Sequence, residues 1–374
     1  MGETKIEWTN RTWNPTRGCS LVSAGCTNCY AMKQAHRFSG GGLAYEGLTR
    51  LTSNGPVWTG KVVLAEDKLA EPLRWKVAKR VFVNSMSDLF HEALSFDQIT
   101  AVYGVMATSL HHTYQVLTKR PERRKEWTDW LAERGGLGPY IRGECRHLRN
   151  YFDNEYSTRT EVIDGRVYRS SKDAWAMVFN AAACIGKGLP LPNVWEGVSV
   201  EDQKTADERI PWLLRTPAAV RWVSYEPALG PIDFDHLFLK KTTDLGPDVT
   251  MSALRGWHGG SDEGRTKLDW IVVGGESGPG ARPMHPDWAR SVRDHCIAAE
   301  VKFFFKQWGQ YRPASTEEST LPEGWPNVKY QGSPLHVFSE PGDQPDTVVA
   351  SVGKKQAGRL LDGREWNEFP QVSS

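Results

Sequence analysis

Short apolar runs, each closed by polar residues and followed by an amphipathic stretch, recur along this chain and restrict what it can fold into. Eight of them lie at Trp13 to Cys19, Lys61 to Leu64, Arg80 to Ser85, Tyr114 to Thr118, Val194 to Val198, Arg221 to Tyr225, Trp270 to Val273 and Val301 to Phe305. Runs this short, bounded by turn residues and rich in Val, Phe and Trp, read as buried strands. Strands alternating with helical patterns read as βα units around a parallel sheet. The stretch Asp97 to Ser109 is such a helix, with Phe96, Ile99, Val102, Tyr103 and Met106 at helical spacing. The expected fold class is α/β, a (β/α) barrel. It is complete if all eight runs are strands and partial, an open six-stranded barrel with accessory strands, if they are not.

In a barrel of this kind the chemistry sits where strands end, so the residues just after each run are the ones to read. The third run is followed by Asn84, Ser85, Ser87 and Asp88, and the fourth ends in Thr118, Lys119 and Arg120. Later runs lead to Ser199 and Glu201, Ser224 and Glu226, then Glu276, Ser277 and Arg282, and finally Lys306 and Gln307. Each has a plain structural alternative: Asp88 as a helix cap, Glu226 paired with a neighbouring arginine, Lys119 and Arg120 as a solvated turn. Six polar endings in succession would ring one mouth with carboxylates, hydroxyls and cations, an arrangement suited to a polar cofactor and substrate. Asn84, Ser85, Asp88, Lys119, Ser199, Glu226 and Glu276 are therefore the candidate cofactor contacts. The GGESGPG segment around Glu276 is not a dinucleotide fingerprint, because its glycine spacing is wrong and it follows a late strand. Its glycines suit either a close backbone approach to a ligand or a simple turn.

Cys19, Cys26 and Cys29 place half of the six cysteines within eleven residues. Three thiolates on such a loop can bind three irons of a [4Fe-4S] cluster and leave the fourth open, whereas an electron-transfer cluster takes four cysteines. His36 lies seven residues after Cys29, so a Cys₃His zinc site is equally compatible with the spacing. A disulfide is the third option. The polar start MGETKIEWTN does not resemble a secretory leader, and clustered cysteines in a cytosolic chain are ligands more often than staples. Cys145, Cys184 and Cys296 are scattered, ordinary thiols.

The 374 residues suit one large α/β domain with insertions, or two domains. A formal net charge of +1 advertises no global field toward nucleic acid or membrane, so such contacts must be local. No run of 18 apolar residues exists, so no membrane partner is expected. The sixteen tryptophans fit large core and pocket positions.

TKIEWTNRTWNPTRGCSLVSAGCTNCYA, NSMSDLFHE, LTKRPER, NVWEGVSVEDQ, SYEPALGPID, VVGGESGPGARPMHPDW, FFFKQWG and KKQAGRLLDGREWNEFP occur in this order. Together they resemble the phage Gp37/Gp68 family, a radical S-adenosylmethionine-like group. The resemblance implies a partial or full (β/α) barrel of the radical S-adenosylmethionine type. It also implies a [4Fe-4S] cluster on Cys19, Cys26 and Cys29, S-adenosylmethionine as cofactor, and an external electron donor. Members occur beside a three-Cys-motif partner protein, which is a further expected partner. This chain departs from the wider superfamily in its C-x6-C-x2-C spacing and in carrying Gly274, Gly275 and Glu276 after the seventh run. The superfamily's GGE follows the second strand, so that amino-group-binding role is not carried over.

The expected organisation is a barrel over residues 1–312, with insertions at about 134–193 and 236–267, and a docked C-terminal extension over 313–374. The first insertion carries nine Lys and Arg against six Asp and Glu. It interleaves Tyr140, Arg142, Arg146, Arg149, Tyr151, Phe152, Tyr156, Arg159, Arg166, Tyr168 and Arg169, a mixture suited to phosphates and stacked bases or, more plainly, to a lid with a solvated basic face. The second insertion reads as a mobile loop, and Lys354, Lys355 and Arg359 as phosphate contacts or plain surface. The functional expectation is an enzyme that remodels a thymine-derived base in phage DNA hypermodification by hydrogen abstraction and carbon-carbon bond formation, an isomerisation, in the host cytoplasm. Such an enzyme would flip its base out or act on single strands. The alternatives are a radical enzyme acting on damaged DNA, RNA or protein, and a non-catalytic zinc-bearing nucleic-acid-binding protein. No residue stands out as hydrogen donor or catalytic base.

Overall fold

The computed structural model describes residues 4–143, 161–163, 166–168, 188–239, 250–256, 266–315, 329–330, 333–339 and 346–371. Its centre is one seven-stranded sheet formed by β1 (Arg11–Trp13), β2 (Arg80–Val83), β3 (Thr113–Thr118), β4 (Val194–Val200), β5 (Val220–Tyr225), β6 (Trp270–Gly274) and β7 (Lys302–Gln307). Every neighbouring pair is parallel, and spatial order follows chain order. No pairing joins β1 to β7 among the described residues, so the curled sheet is a partial (β/α) barrel.

Six of the eight expected runs supply β2 to β7. The first, Trp13 to Cys19, is misplaced: β1 is Arg11–Trp13 and meets that run only at Trp13, while Thr16–Arg17 pairs antiparallel with Val63–Leu64, the strand part of the run Lys61 to Leu64. Lys61 and Val63 are exposed, while Val62 and Leu64 are only partly buried. A strand wetted on one side cannot serve in a parallel sheet covered on both faces.

Alternation along the strands separates an outer face from a concave one. On the outer face Val81, Val83, Tyr114, Val116 and Val194 belong to one core cluster and Val198, Val223, Ile271, Phe303 and Phe305 to a second one further along the sheet. On the concave side Phe82, Trp195, Trp222, Trp270 and Phe304 join Trp8 in an aromatic plug, with Trp8 5.2 Å from Trp222 and Trp195 5.6 Å from Trp270. Moving two residues at a time toward the strand ends, the inward side chains shrink and then become charged: Trp195, Gly197, Ser199, Glu201 on β4; Trp222, Ser224, Glu226 on β5; Phe304, Lys306 on β7. The plug closes one end of the trough, and the polar mouth forms the other.

The covering helices begin where their sequences dictate. The helix α2 (Phe96–Thr108) opens on a capping box, with Ser95 accepting from the Gln98 amide and Gln98 accepting from the Ser95 amide. The helices α3 (Pro121–Glu133) and α5 (Pro286–Ala298) carry proline in the first turn, and α4 (Gln203–Leu214) is capped by Asp202. The C-terminal segment covers β7: Phe305 donates to the Trp366 carbonyl, Glu368 donates to that of Phe303, and Phe369 packs 5.3 Å from Trp270. An antiparallel strap thus lies where an eighth strand would close the barrel, protecting an apolar edge. No helix among the described residues is long and apolar enough to cross a membrane.

The insertions are only partly within the described residues. Tyr140, expected on a basic aromatic face, is instead buried in the helix Leu137–Gly143, packs 4.8 Å from Trp130 and donates to Asp97 at 3.0 Å. Apolar spacing at Leu137, Tyr140 and Ile141 explains this, since all three join the core. Arg146, Arg149, Tyr151, Phe152, Tyr156, Arg159 and Arg169 lie outside the described residues, as do the side chains of Arg142, Arg166 and Tyr168. In the second insertion, Leu237–Phe238 pairs with Thr250–Met251, and Leu237, Met251 and Leu254 are buried; residues 240–249 and 257–265 lie outside the described ones.

Candidate functional site

The loop from Gly18 to Cys29 crosses the polar mouth and ends at α1 (Tyr30–His36). Cys19, Cys26 and Cys29 are free and half-buried. Cys19 and Cys29 lie against the apolar face of α1 and its hairpin, formed by Met32, Ala35, Leu48 and Trp58. Burial pushes the Cys19 thiol up to about 12; Asp88 adds to this and Arg120 opposes it. Burial also raises Cys29, against a pull from the Met32 and Ala31 amides. Cys29 interacts electrostatically with both Cys19 and Cys26, which brings the three sulfurs into one neighbourhood.

Three anchors hold the loop, one near each cysteine. Ser20, next to Cys19, accepts from Arg120 at 2.6 Å and pairs with His91 Nε2 at 2.9 Å. Because the Ala93 amide donates to His91 Nδ1, the ring proton sits on Nε2 and is given to Ser20. Ser23, three residues before Cys26, donates to Glu201 at 3.0 Å and accepts from Lys119 at 3.2 Å. Asn28, next to Cys29, donates to Glu276 at 3.0 Å and to the Gly280 carbonyl at 2.8 Å. Gly25 is pressed against the second anchor so closely that a Cβ would stand 2.4 Å from Glu201 Oε1. Only glycine fits there.

The sequence candidates fall into this frame unequally. Asp88 accepts from the Phe90 amide, the Thr118 hydroxyl (2.7 Å), the Lys119 amide and Arg120, so it ties the ends of β2 and β3 together rather than capping a helix. Lys119 pairs with Glu201, whose side chain is fully buried and also held by Arg209 at 3.1 Å. Lys119 and Arg120 are therefore structural cations and not a solvated turn. Glu226 pairs with Lys306 at 2.8 Å and accepts from Ser224 at 3.1 Å. Ser199 reaches the Glu226 carbonyl, and Ser85 bonds Asn14 while its carbonyl accepts from Tyr30. Asn84 stands at φ 60°, in the left-handed region, and its buried amide nitrogen has no hydrogen-bond partner. Glu276 is clasped by Arg282 through its amide (2.8 Å), Nε (2.9 Å) and Nη2 (2.6 Å). Burial pushes the Glu276 carboxyl up, but bonds from Arg282 and Asn28 outweigh it and hold it below the ordinary range.

Sequence reasoning missed Ser20, Ser23, Asn28, His91 and Arg209 as parts of this site. Arg209 carried a signal: it interrupts the buried face of α4 between Ala206, Ile210 and Leu213. A cation at a core position needs an acid, and Glu201 is the acid.

The donor set is three sulfurs. No group of three or more His, Cys, Asp or Glu side chains among the described residues forms a site for a metal ion. His36, the fourth ligand expected of a Cys₃His site, pairs through Nδ1 with Thr49 at 3.1 Å, a bond that a metal-bound histidine also makes with its second ring nitrogen. Three soft thiolate donors are of the chemical type that an iron-sulfur cluster takes, and of the type that zinc takes as well.

The fold and site define an α/β protein whose partial barrel carries a braced cysteine loop over the mouth formed by its strand ends. The chain belongs to the family described as protein of unknown function (DUF5131), which it matches over residues 3–370. No curated protein and no solved structure matches it.

Proposed function

We propose that this protein is a radical S-adenosylmethionine enzyme, with a [4Fe-4S] cluster on Cys19, Cys26 and Cys29, that remodels a thymine-derived nucleobase in DNA. The observation that carries this reading is the seating of a three-cysteine loop, separately anchored near each cysteine, over the C-terminal mouth of a parallel partial barrel. Such a cluster, held by the three cysteines and reduced by an external electron donor, would supply one-electron reductive cleavage of S-adenosylmethionine. The chain's own residues then have distinct tasks. Asn84 offers a buried, unpartnered N–H to a polar cofactor group. The Glu226 and Lys306 pair, with Ser199 and Ser224, offers polar partners on the concave side. The aromatic plug excludes water from the trough beneath.

The base substrate is supported by the basic and aromatic composition of residues 142–169, which stands even though Tyr140 belongs to the core. A base must leave the duplex for chemistry to reach its ring substituents.

Anaerobic reconstitution with iron and sulfide, followed by electron paramagnetic resonance of the reduced protein, tests the reading. A [4Fe-4S] signal that changes with S-adenosylmethionine and disappears in a Cys19, Cys26 and Cys29 triple alanine variant is expected. Stoichiometric zinc without a cluster would refute it and favour a zinc-bearing binding protein. Mass analysis of nucleosides from DNA carrying amino-acid-substituted thymine then tests the substrate.

A further inference from the structure

We propose that Lys119 and Arg120, adjacent residues after β3, form a two-pronged clamp that sets Cys19 and Cys26 in ligand-ready positions, leaving Cys29 to the separate Asn28 anchor. Both are positioning residues. The proposal rests on the reading of the three cysteines as ligands.

The prongs reach different parts of one loop. Arg120 holds the Ser20 hydroxyl at 2.6 Å, and Ser20 follows Cys19, whose thiol lies 3.5 Å from the Ser20 carbonyl. Lys119 holds the Ser23 hydroxyl at 3.2 Å, immediately before the turn Ala24–Cys26 that delivers Cys26. Each prong is itself fixed. Arg120 is gripped by Asp88 at 3.1 Å and Glu92 at 2.9 Å, and Asp88 is gripped by Thr118 and the Lys119 amide. Lys119 is gripped by Glu201, which Arg209 holds from the opposite side. The clamp is therefore a cross-tie between β2, β3 and β4, and Gly25 leaves no slack between the loop and Glu201. Asn28's own hydrogen bonds run to Glu276 and Gly280 on the β6 side of the mouth, and not to Lys119 or Arg120.

This separation yields a site-resolved test on the full-length, iron-free protein. Iodoacetamide alkylation is followed by mass spectrometry at Cys19, Cys26 and Cys29 for wild type, Lys119→Gln, Lys119→Arg and a Ser20→Ala/Ser23→Ala double variant. The double variant leaves both ion pairs intact, so it keeps the test open where Lys119→Gln fails to fold. In the double variant the expected result is about tenfold faster alkylation of Cys19 and Cys26, the scale of one lost charge-assisted hydrogen bond, with Cys29 within twofold of wild type. Lys119→Gln should accelerate Cys26, and Lys119→Arg should restore most of its protection. Unchanged rates, or equal acceleration at all three cysteines, overturn the clamp. Because this readout uses no iron, it stands apart from reconstitution: absence of any cluster in wild type would refute the proposed function while leaving the clamp result to be judged by alkylation alone.

Discussion

Asn28 donates 3.0 Å to the carboxylate of Glu276, a residue 248 positions later in the chain. This contact joins the cysteine loop, which leaves β1 near the start of the chain, to the end of β6 on the far side of the sheet. It makes the loop a bridge across the mouth, and it makes Glu276, clasped by Arg282, a brace whose charge state matters.

Glu276 is held below the ordinary carboxyl range of about 4.3, so its contribution to stability is present above that value and lost as pH falls through the folded value. Glu276→Gln should cost about 1–3 kcal/mol at pH 7. Urea denaturation of wild type and variant should show the gap narrowing as pH drops below about 4. A gap that stays constant down to pH 3 would reject the assignment.

His91 is buried, and burial together with Arg120 keeps it below the ordinary histidine value of about 6.5. The unfolded chain therefore takes up this proton first, and stability that is full above about pH 6.5 declines as pH falls toward the folded value. His91→Gln should remove that decline, which can reach ~1.4 kcal/mol per pH unit for a single group. Matching slopes for wild type and variant between pH 7 and 5 would count against it.

Gly197 faces Trp222 so closely that a Cβ would stand 2.4 Å from its ring. Trp222 is fixed by Trp8 and Trp270 and donates to the Trp195 carbonyl, so it cannot step aside. Gly197→Ala should destabilise by about 1–3 kcal/mol through overpacking. The observables are a lower urea midpoint at unchanged m-value and altered near-ultraviolet dichroism of the tryptophan cluster.

The strap over β7 protects the strand KFFFKQ. Truncation after Glu365 removes the Trp366 carbonyl that pairs with Phe305 and the Phe369 ring on Trp270. Light scattering should show the truncated chain self-associating, because an apolar edge is left unpaired. A stable monomer at the same concentration would show that the edge needs no cover.

Much of the scaffold was legible in the sequence. Helix α2 was visible within one residue because helical apolar spacing is a local signal, and six of the seven sheet strands were visible because short apolar runs bounded by turns are local too. Lys61 to Leu64 misled because two adjacent valines look alike in a buried strand and in a half-wet antiparallel one. Tyr140 misled because an aromatic beside arginines looks the same on a lid as in a core.

By itself, the sequence determined the α/β class, the three-cysteine loop and the polar character of the strand ends, since periodicity and residue chemistry are carried by neighbours in the chain. Tertiary structure alone decided that the barrel is partial, that Lys119 meets Glu201, that Arg209 completes that pair, and that Asn28 reaches Glu276. Those partners depend on strand register and on the path of a loop across the mouth. No local pattern encodes either, because both are set only when the whole sheet curls around its tryptophan plug.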